Sequence, residues 1–172
     1  MKNPAITLAC MAALVAVISC DSNTPTAPVK VPAIFKATMT VASEVPTPGV
    51  ASTGSGTFTG TLDTATNKFV YDLTFTGLSS NVSAGHIHGP ADVGVTSGTT
   101  INFATLSGAT FSVGATAGTG HGEVILTAAT AITATINGDS LKKLLYAGKT
   151  YVNLHTTSNG SGEIRGQVTK QP

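Results

Sequence analysis

The chain has 172 residues, nine basic and eight acidic, giving a formal charge of +1. Only 10% of residues are charged and 19 are glycine. Near-zero charge without a basic run excludes the footprint of a nucleic-acid binder and a polybasic membrane patch, and the length fits one domain.

The chain opens on Met1-Lys2-Asn3, continues uncharged and largely apolar from Pro4 to Ser19, and reaches Cys20. One basic residue before such a stretch is the layout of a secretory signal peptide. The stretch is shorter than the roughly 20 apolar residues that a spanning helix needs. Val17-Ile18-Ser19-Cys20 resembles the lipobox of bacterial lipoproteins, with Cys20 as the lipidated residue. The expectation is a signal peptide over residues 1–20, cleavage before Cys20, and a lipid anchor in a bacterial cell envelope. Two acyl chains suffice for stable anchoring. Asp21 resembles the inner-membrane retention signal of some Gram-negative lipoproteins; the periplasmic and surface-facing placements both stay open. Cys10 lies in the removed segment and Cys20 carries lipid, so the mature domain has no thiol for a disulfide, a nucleophile or a metal ligand. Residues 21–32 hold Pro25, Pro28 and Pro32 among Thr, Ser and Asn, and read as an extended tether. Residues 33–170 form the folded domain.

From Ala33 the signals are for strands. Phe35, Ala37, Met39 and Val41 alternate with Lys36, Thr38 and Thr40, and Thr57 to Leu62 predicts a second strand. Phe69, Tyr71, Leu73 and Phe75 alternate with Val70, Asp72, Thr74 and Thr76, punctuated by Asn67 and Gly77. Glu123 to Thr127 reads as another strand. Asp139 is expected to cap one short helix, Ser140 to Tyr146, with Gly148 at its exit. Tyr151 to Thr156 and Glu163 to Val168 then form a closing hairpin. Many short strands, Thr-rich faces and Gly-rich turns predict an all-β fold, an antiparallel immunoglobulin-like, Greek-key β-sandwich with one short helix.

Chemistry concentrates in Ala84-Gly85-His86-Ile87-His88-Gly89. On a strand His86 and His88 share a face while Ile87 takes the other, which presents two imidazoles to one metal; neutral imidazole suits copper or zinc. Tyr151, Asn153 and His155 form a second alternating polar set, and Glu163, Arg165 and Gln167 a third. If these strands are neighbours, one face carries three histidines, a Glu and an Arg.

His86-Ile87-His88-Gly89-Pro90-Ala91, Tyr151-Val152-Asn153-Leu154-His155-Thr156 and Gly162-Glu163-Ile164-Arg165-Gly166-Gln167 resemble, in order, the signature segments of the chordin-type (CHRD) domain. Glu44-Val45-Pro46 and Gly54-Ser55-Gly56-Thr57-Phe58 resemble its opening, so the resemblance runs from about Ile34 to Val168. Thr47 and Gly160 depart from the prolines often found in that pattern, both in turns. The resemblance implies an extracellular module with an immunoglobulin-like β-sandwich, no catalysis, and family histidines at His86, His88 and His155.

Two readings of the polar face stand side by side. In one it is structural or partner-binding, the imidazoles and Glu163 joined by hydrogen bonds that pin the hairpin, with Glu163 and Arg165 as a same-face ion pair; its partner is an envelope or extracellular protein or glycan. In the other, His86, His88 and His155 bind divalent copper or zinc, with Glu163 as fourth ligand or orienting group and Tyr151, Asn153, Arg165 and Gln167 as support. His121, between glycines, is expected to be an exposed loop residue. No Gly-x-Ser-x-Gly elbow, phosphate loop or carboxylate pair occurs, so no catalytic residue is assigned. The membrane is expected as a partner through lipid alone, and nucleic acid is not.

Overall fold

Apolar residues at every second position set the sheet in the computed structural model, which describes residues 30–172. Cys20, the rest of the export segment and residues 21–29 of the tether lie outside the described residues. The elements are β1 (Ala33–Thr40), β2 (Ser55–Leu62), β3 (Lys68–Thr76), β4 (Val82–His88), β5 (Thr99–Asn102), β6 (Thr110–Phe111), β7 (Gly118–Ile125), α1 (Gly138–Tyr146), β8 (Tyr151–Thr156), β9 (Ile164–Gln167) and β10 (Thr169–Lys170). Phe35, Ala37 and Met39 of β1 and Phe69, Tyr71, Leu73 and Phe75 of β3 are buried, while Lys36, Thr38, Asp72 and Thr74 face outward. Burying each large apolar side chain contributes roughly 1.5–3 kcal/mol.

The strands run in the order β5-β4-β8-β9-β1-β2-β3-β7-β6, with β10 also paired to β1. Every pairing is antiparallel. β9 and β1 share only the pair Thr40↔Arg165. The two halves of the sheet therefore fold over one another at this corner. Ile87, Val152, Leu154 and Ile164 from one half enter the same core cluster as Phe35, Phe58, Tyr71 and Phe75 from the other. Among the described residues the all-β antiparallel architecture with one short α-helix stands, as a curled sheet whose two halves make the sandwich.

Two local expectations shift. β7 starts at Gly118 and ends at Ile125, earlier than the Glu123 to Thr127 expected, because glycine reads as loop in the sequence. Here Gly118, Gly120 and Gly122 lie opposite Phe75, Leu73 and Tyr71. A side chain at Gly122 would collide with the Tyr71 ring. The glycines make room for the aromatic core. His121 is accordingly on a strand, not in a loop; it is exposed and its Nδ1 lies 2.8 Å from Asp72 Oδ1 on β3. The helix is capped by Asn137, whose Oδ1 accepts from Ser140 N at 2.9 Å. Asp139 sits in the first turn and pairs with Lys142 at 2.9 Å. Asn137 wins because the helix begins one residue before Asp139, at Gly138, whose missing Cβ admits the Leu126 backbone.

Candidate metal centre

β4 and β8 are neighbours in register, with His86 opposite Asn153, His88 opposite Tyr151 and Ala84 opposite His155. β9 continues the row, placing Arg165 beside Asn153 and Gln167 beside Tyr151. The odd residues of β8 and the two histidines of β4 thus share one face, while Ile87, Val152 and Leu154 fill the core on the other.

Most of that polar face is covered, while His86, His155 and Gln167 keep partial exposure. Tyr151 is 4% exposed, Asn153 and Arg165 2% each, and His88 8%. The cover is the loop between β4 and β5, which turns its carbonyls inward. Ser97 O accepts from His88 Nδ1 at 2.9 Å, Val95 O from Arg165 Nη2 at 2.7 Å, and Ala91 O from Gln167 Nε2 at 3.0 Å. Tyr151 Oη also donates to Ser97 O at 3.3 Å and accepts from Ser97 N at 3.1 Å. From the other side Glu44 reaches in: Asn153 Nδ2 donates to its Oε2, and its Oε1 accepts from Val45 N at 2.9 Å.

His86, His88 and His155 come together, with one ring nitrogen of each lying within 4.8 Å of the others. The backbone decides their tautomers. A carbonyl only accepts, so His88 Nδ1 carries its proton toward Ser97 and His155 Nδ1 carries its proton toward Gly160 O at 3.0 Å. In the neutral rings both Nε2 atoms then present lone pairs. His155 Nε2 lies 3.1 Å from His86 Nδ1. His88 Nε2 is buried and has no hydrogen-bond partner. A backbone carbonyl behind Nδ1 and a free Nε2 in front is the arrangement by which metal-ligating histidines are oriented.

Burial keeps these rings neutral. It lowers the His86 pKa from 6.5 to about 4, helped by the neighbouring His155 and His88. Burial likewise lowers His88 and His155, against the opposing effect of the Ser97 and Gly160 carbonyls; Arg165 adds to the lowering at His88. Nitrogens around a tetrahedral ion at 2.0–2.1 Å stand about 3.4 Å apart. The His86–His155 pair, at 3.1 Å, is already that close, and the wider separations, up to 4.8 Å, close by up to about 1.4 Å through side-chain adjustment.

Glu163 is not with the histidines. It precedes β9, behind Gly162 at φ +131, where the strand alternation no longer holds. Its carboxylate, fully buried, accepts from Ser52 Oγ at 2.5 Å, Ser79 N at 2.6 Å, Ser79 Oγ at 2.7 Å, Thr156 Oγ1 at 2.6 Å and Asn159 Nδ2 at 3.1 Å. Burial alone would raise its pKa, but the bonds from Ser52, Thr156 and Ser79 outweigh that and hold it at about 2. With both oxygens committed, Glu163 is neither fourth ligand nor orienting group, and it makes no ion pair with Arg165. Arg165 instead lies over Tyr151, its guanidinium carbon 3.5 Å from the ring centroid.

Sequence reasoning missed Glu44, Ser97 and Gly160. The last two act through backbone carbonyls, which leave no residue-type signal, and Glu44 is a lone acid in a turn. Burial raises the Glu44 pKa from 4.5 to about 7, against the bonds from Val45 and Asn153 and the charge of Arg165.

The chain matches the CHRD domain over residues 35–168, a span that includes every residue of this polar face. The chain belongs to the CHRD-domain family. CHRD domains are extracellular and generally non-enzymatic modules of the binding type. Neither a curated protein nor a solved structure matches the chain. Among the described residues no helix is long and apolar enough to cross a membrane.

Proposed function

We propose that this CHRD-domain protein is a non-catalytic binding module of the bacterial cell envelope, lipid-anchored through Cys20, whose ligand is a transition-metal ion held by His86, His88 and His155. The observation that carries the reading is the buried, unpartnered Nε2 of His88, on a ring that offers one nitrogen within 4.8 Å of nitrogens from the His86 and His155 rings. A buried polar atom without a partner costs about 1–3 kcal/mol, and a bound metal relieves it. Copper and zinc suit an all-imidazole set, whereas magnesium and calcium require oxygen ligands. Besides the side-chain adjustment that brings the nitrogens together, binding asks that His86 move its proton from Nδ1 to Nε2, since the other two tautomers are already set by Ser97 and Gly160.

Calorimetric titration of the full chain with copper and with zinc, beside a His86→Ala, His88→Ala variant, tests the metal reading. The wild type takes up one equivalent and the variant takes up none; equal uptake by both ends the claim. Mass spectrometry of the mature N-terminus tests the anchor. A start at diacylated Cys20 supports it, and an unlipidated start further along removes it.

A further inference from the structure

The charges around the three histidines are lopsided. Neither nearby carboxylate offers a ligand: Glu163 is saturated by hydroxyl, amide and backbone donors, and Glu44 is engaged by Val45 N and Asn153. Burial also leaves Glu44 only partly ionised at neutral pH.

Arg165 is 2% exposed and forms no ion pair among the described residues; its Nη1 is buried without a partner. The His88 ring stacks on Tyr151 with centroids 4.7 Å apart and planes within 4°. Arg165 also touches the Tyr151 ring. Both groups in van der Waals contact cannot occupy one face of that ring, so the order is His88, Tyr151, Arg165. A permanent cation therefore sits one aromatic ring away from a ligand imidazole.

An ion entering this site meets three neutral donors and a fixed positive charge that the only partly ionised Glu44 offsets in part. Repulsion from Arg165 grows in proportion to the ion's charge, and the desolvation cost grows roughly as its square. Coordination number points the same way. Zinc completes four-coordination and copper(II) a tetragonal set only with added water at a three-His site, while three imidazoles satisfy copper(I) without a further ligand.

We propose that the triad is a copper(I) site, in which Arg165, acting through the Tyr151–His88 stack, biases the ion toward the monovalent state. This rests on the metal-binding reading above and adds the ion's identity and oxidation state. Arg165 is a positioning and electrostatic residue here, not a ligand.

The test is anaerobic competition of the full chain in detergent against bicinchoninate for copper(I), with chromophoric chelators for copper(II) and zinc. Copper(I) should be held at least about 100-fold more tightly than copper(II) or zinc, against the order in which copper(II) leads the divalent ions. Arg165→Gln should narrow the preference by about tenfold, the size of one charge acting across roughly 8 Å at a high effective dielectric. Arg165→Lys should preserve it. Copper(II) or zinc binding as tight as copper(I), or an unchanged ratio in Arg165→Gln, overturns the proposal while leaving a metal site standing. Failure of every ion to bind overturns the metal reading itself. The wild-type ratio needs no variant, so the test stands whether or not Arg165→Gln folds.

Discussion

His88 lies flat on Tyr151, ring centroids 4.7 Å apart and planes within 4°, and this stack holds the imidazole proposed as a ligand in place from the strand next to its own. Tyr151→Ala removes the platform and leaves a cavity under the β4–β5 loop. It is expected to cost about 3–5 kcal/mol of stability and about 10–100-fold in metal affinity, the usual penalty for disturbing a group that orients a ligand. Tyr151→Phe keeps the ring and loses only the Ser97 hydrogen bonds, so it should stay within about 1.5 kcal/mol of wild type. Urea denaturation and metal competition on the two variants check both values.

Glu163 is a structural carboxylate set apart from the proposed metal site. Glu163→Ala strands the Ser52, Ser79, Thr156 and Asn159 donors, at roughly 1–3 kcal/mol for each group left buried and unpaired. Glu163→Gln is expected to lower stability less and to leave metal affinity unchanged once folded. A tenfold or larger loss of metal binding in folded Glu163→Gln would restore the carboxylate to the ligand set.

The metal-free protein should respond to pH in two opposed ways. His86 has its pKa at about 4 in the fold against 6.5 ordinarily. Between these values the unfolded chain binds a proton that the fold refuses, so stability falls as pH drops from about 6.5 to about 4. Glu44 has its pKa at about 7 against 4.5 ordinarily. There the fold keeps a proton that the unfolded chain releases, so stability falls as pH rises from 4.5 to about 7. The stability of Glu44→Gln relative to wild type should therefore rise between pH 4.5 and pH 7, and that of His86→Ala should rise as pH is lowered from 6.5 toward 4. Denaturation midpoints across this range are the measurement, and a flat difference for either variant refutes its assignment.

Gly162 is the hinge that takes Glu163 out of the strand. Its φ is +131, and a Cβ there would stand 2.5 Å from both Asn153 Nδ2 and Glu44 Oε2. Gly162→Ala should lose at least about 1–3 kcal/mol from backbone strain, with further loss from displacing Glu44. Gly160→Ala, with nothing within 4 Å of its Cβ, should be close to neutral in the same thermal melt.

Most of the strands and the one helix could be read from the chain because alternation and turn residues are local. β1, β2, β3 and β8 fall almost where the pattern of Phe35, Phe58, Phe69 and Val152 puts them. β7 was misplaced because Gly118, Gly120 and Gly122 owe their positions to the side chains of another strand. The same distinction runs through the site. The pairing of His86 and His88 on one face follows from the strand period alone, but the burial of that face depends on a loop that meets its polar groups through backbone carbonyls and an amide.

The low charge noted at the outset left three histidines, a Glu and an Arg standing out against a Thr and Gly background, and the order of their motifs identified the CHRD domain. Period-two geometry was enough to put His86 and His88 together and to set Ile87 against the core. Tertiary structure alone decided that His155 joins them, because strand order places β8 beside β4 across more than sixty residues of sequence. It also decided that Glu163 leaves them for Ser52, Ser79, Thr156 and Asn159, and that Arg165 lies behind Tyr151 with no ion-pair partner among the described residues. Alternation is a property of one strand, whereas the partner that satisfies a buried carboxylate or guanidinium is chosen by whichever chain segment the fold brings within about 3 Å.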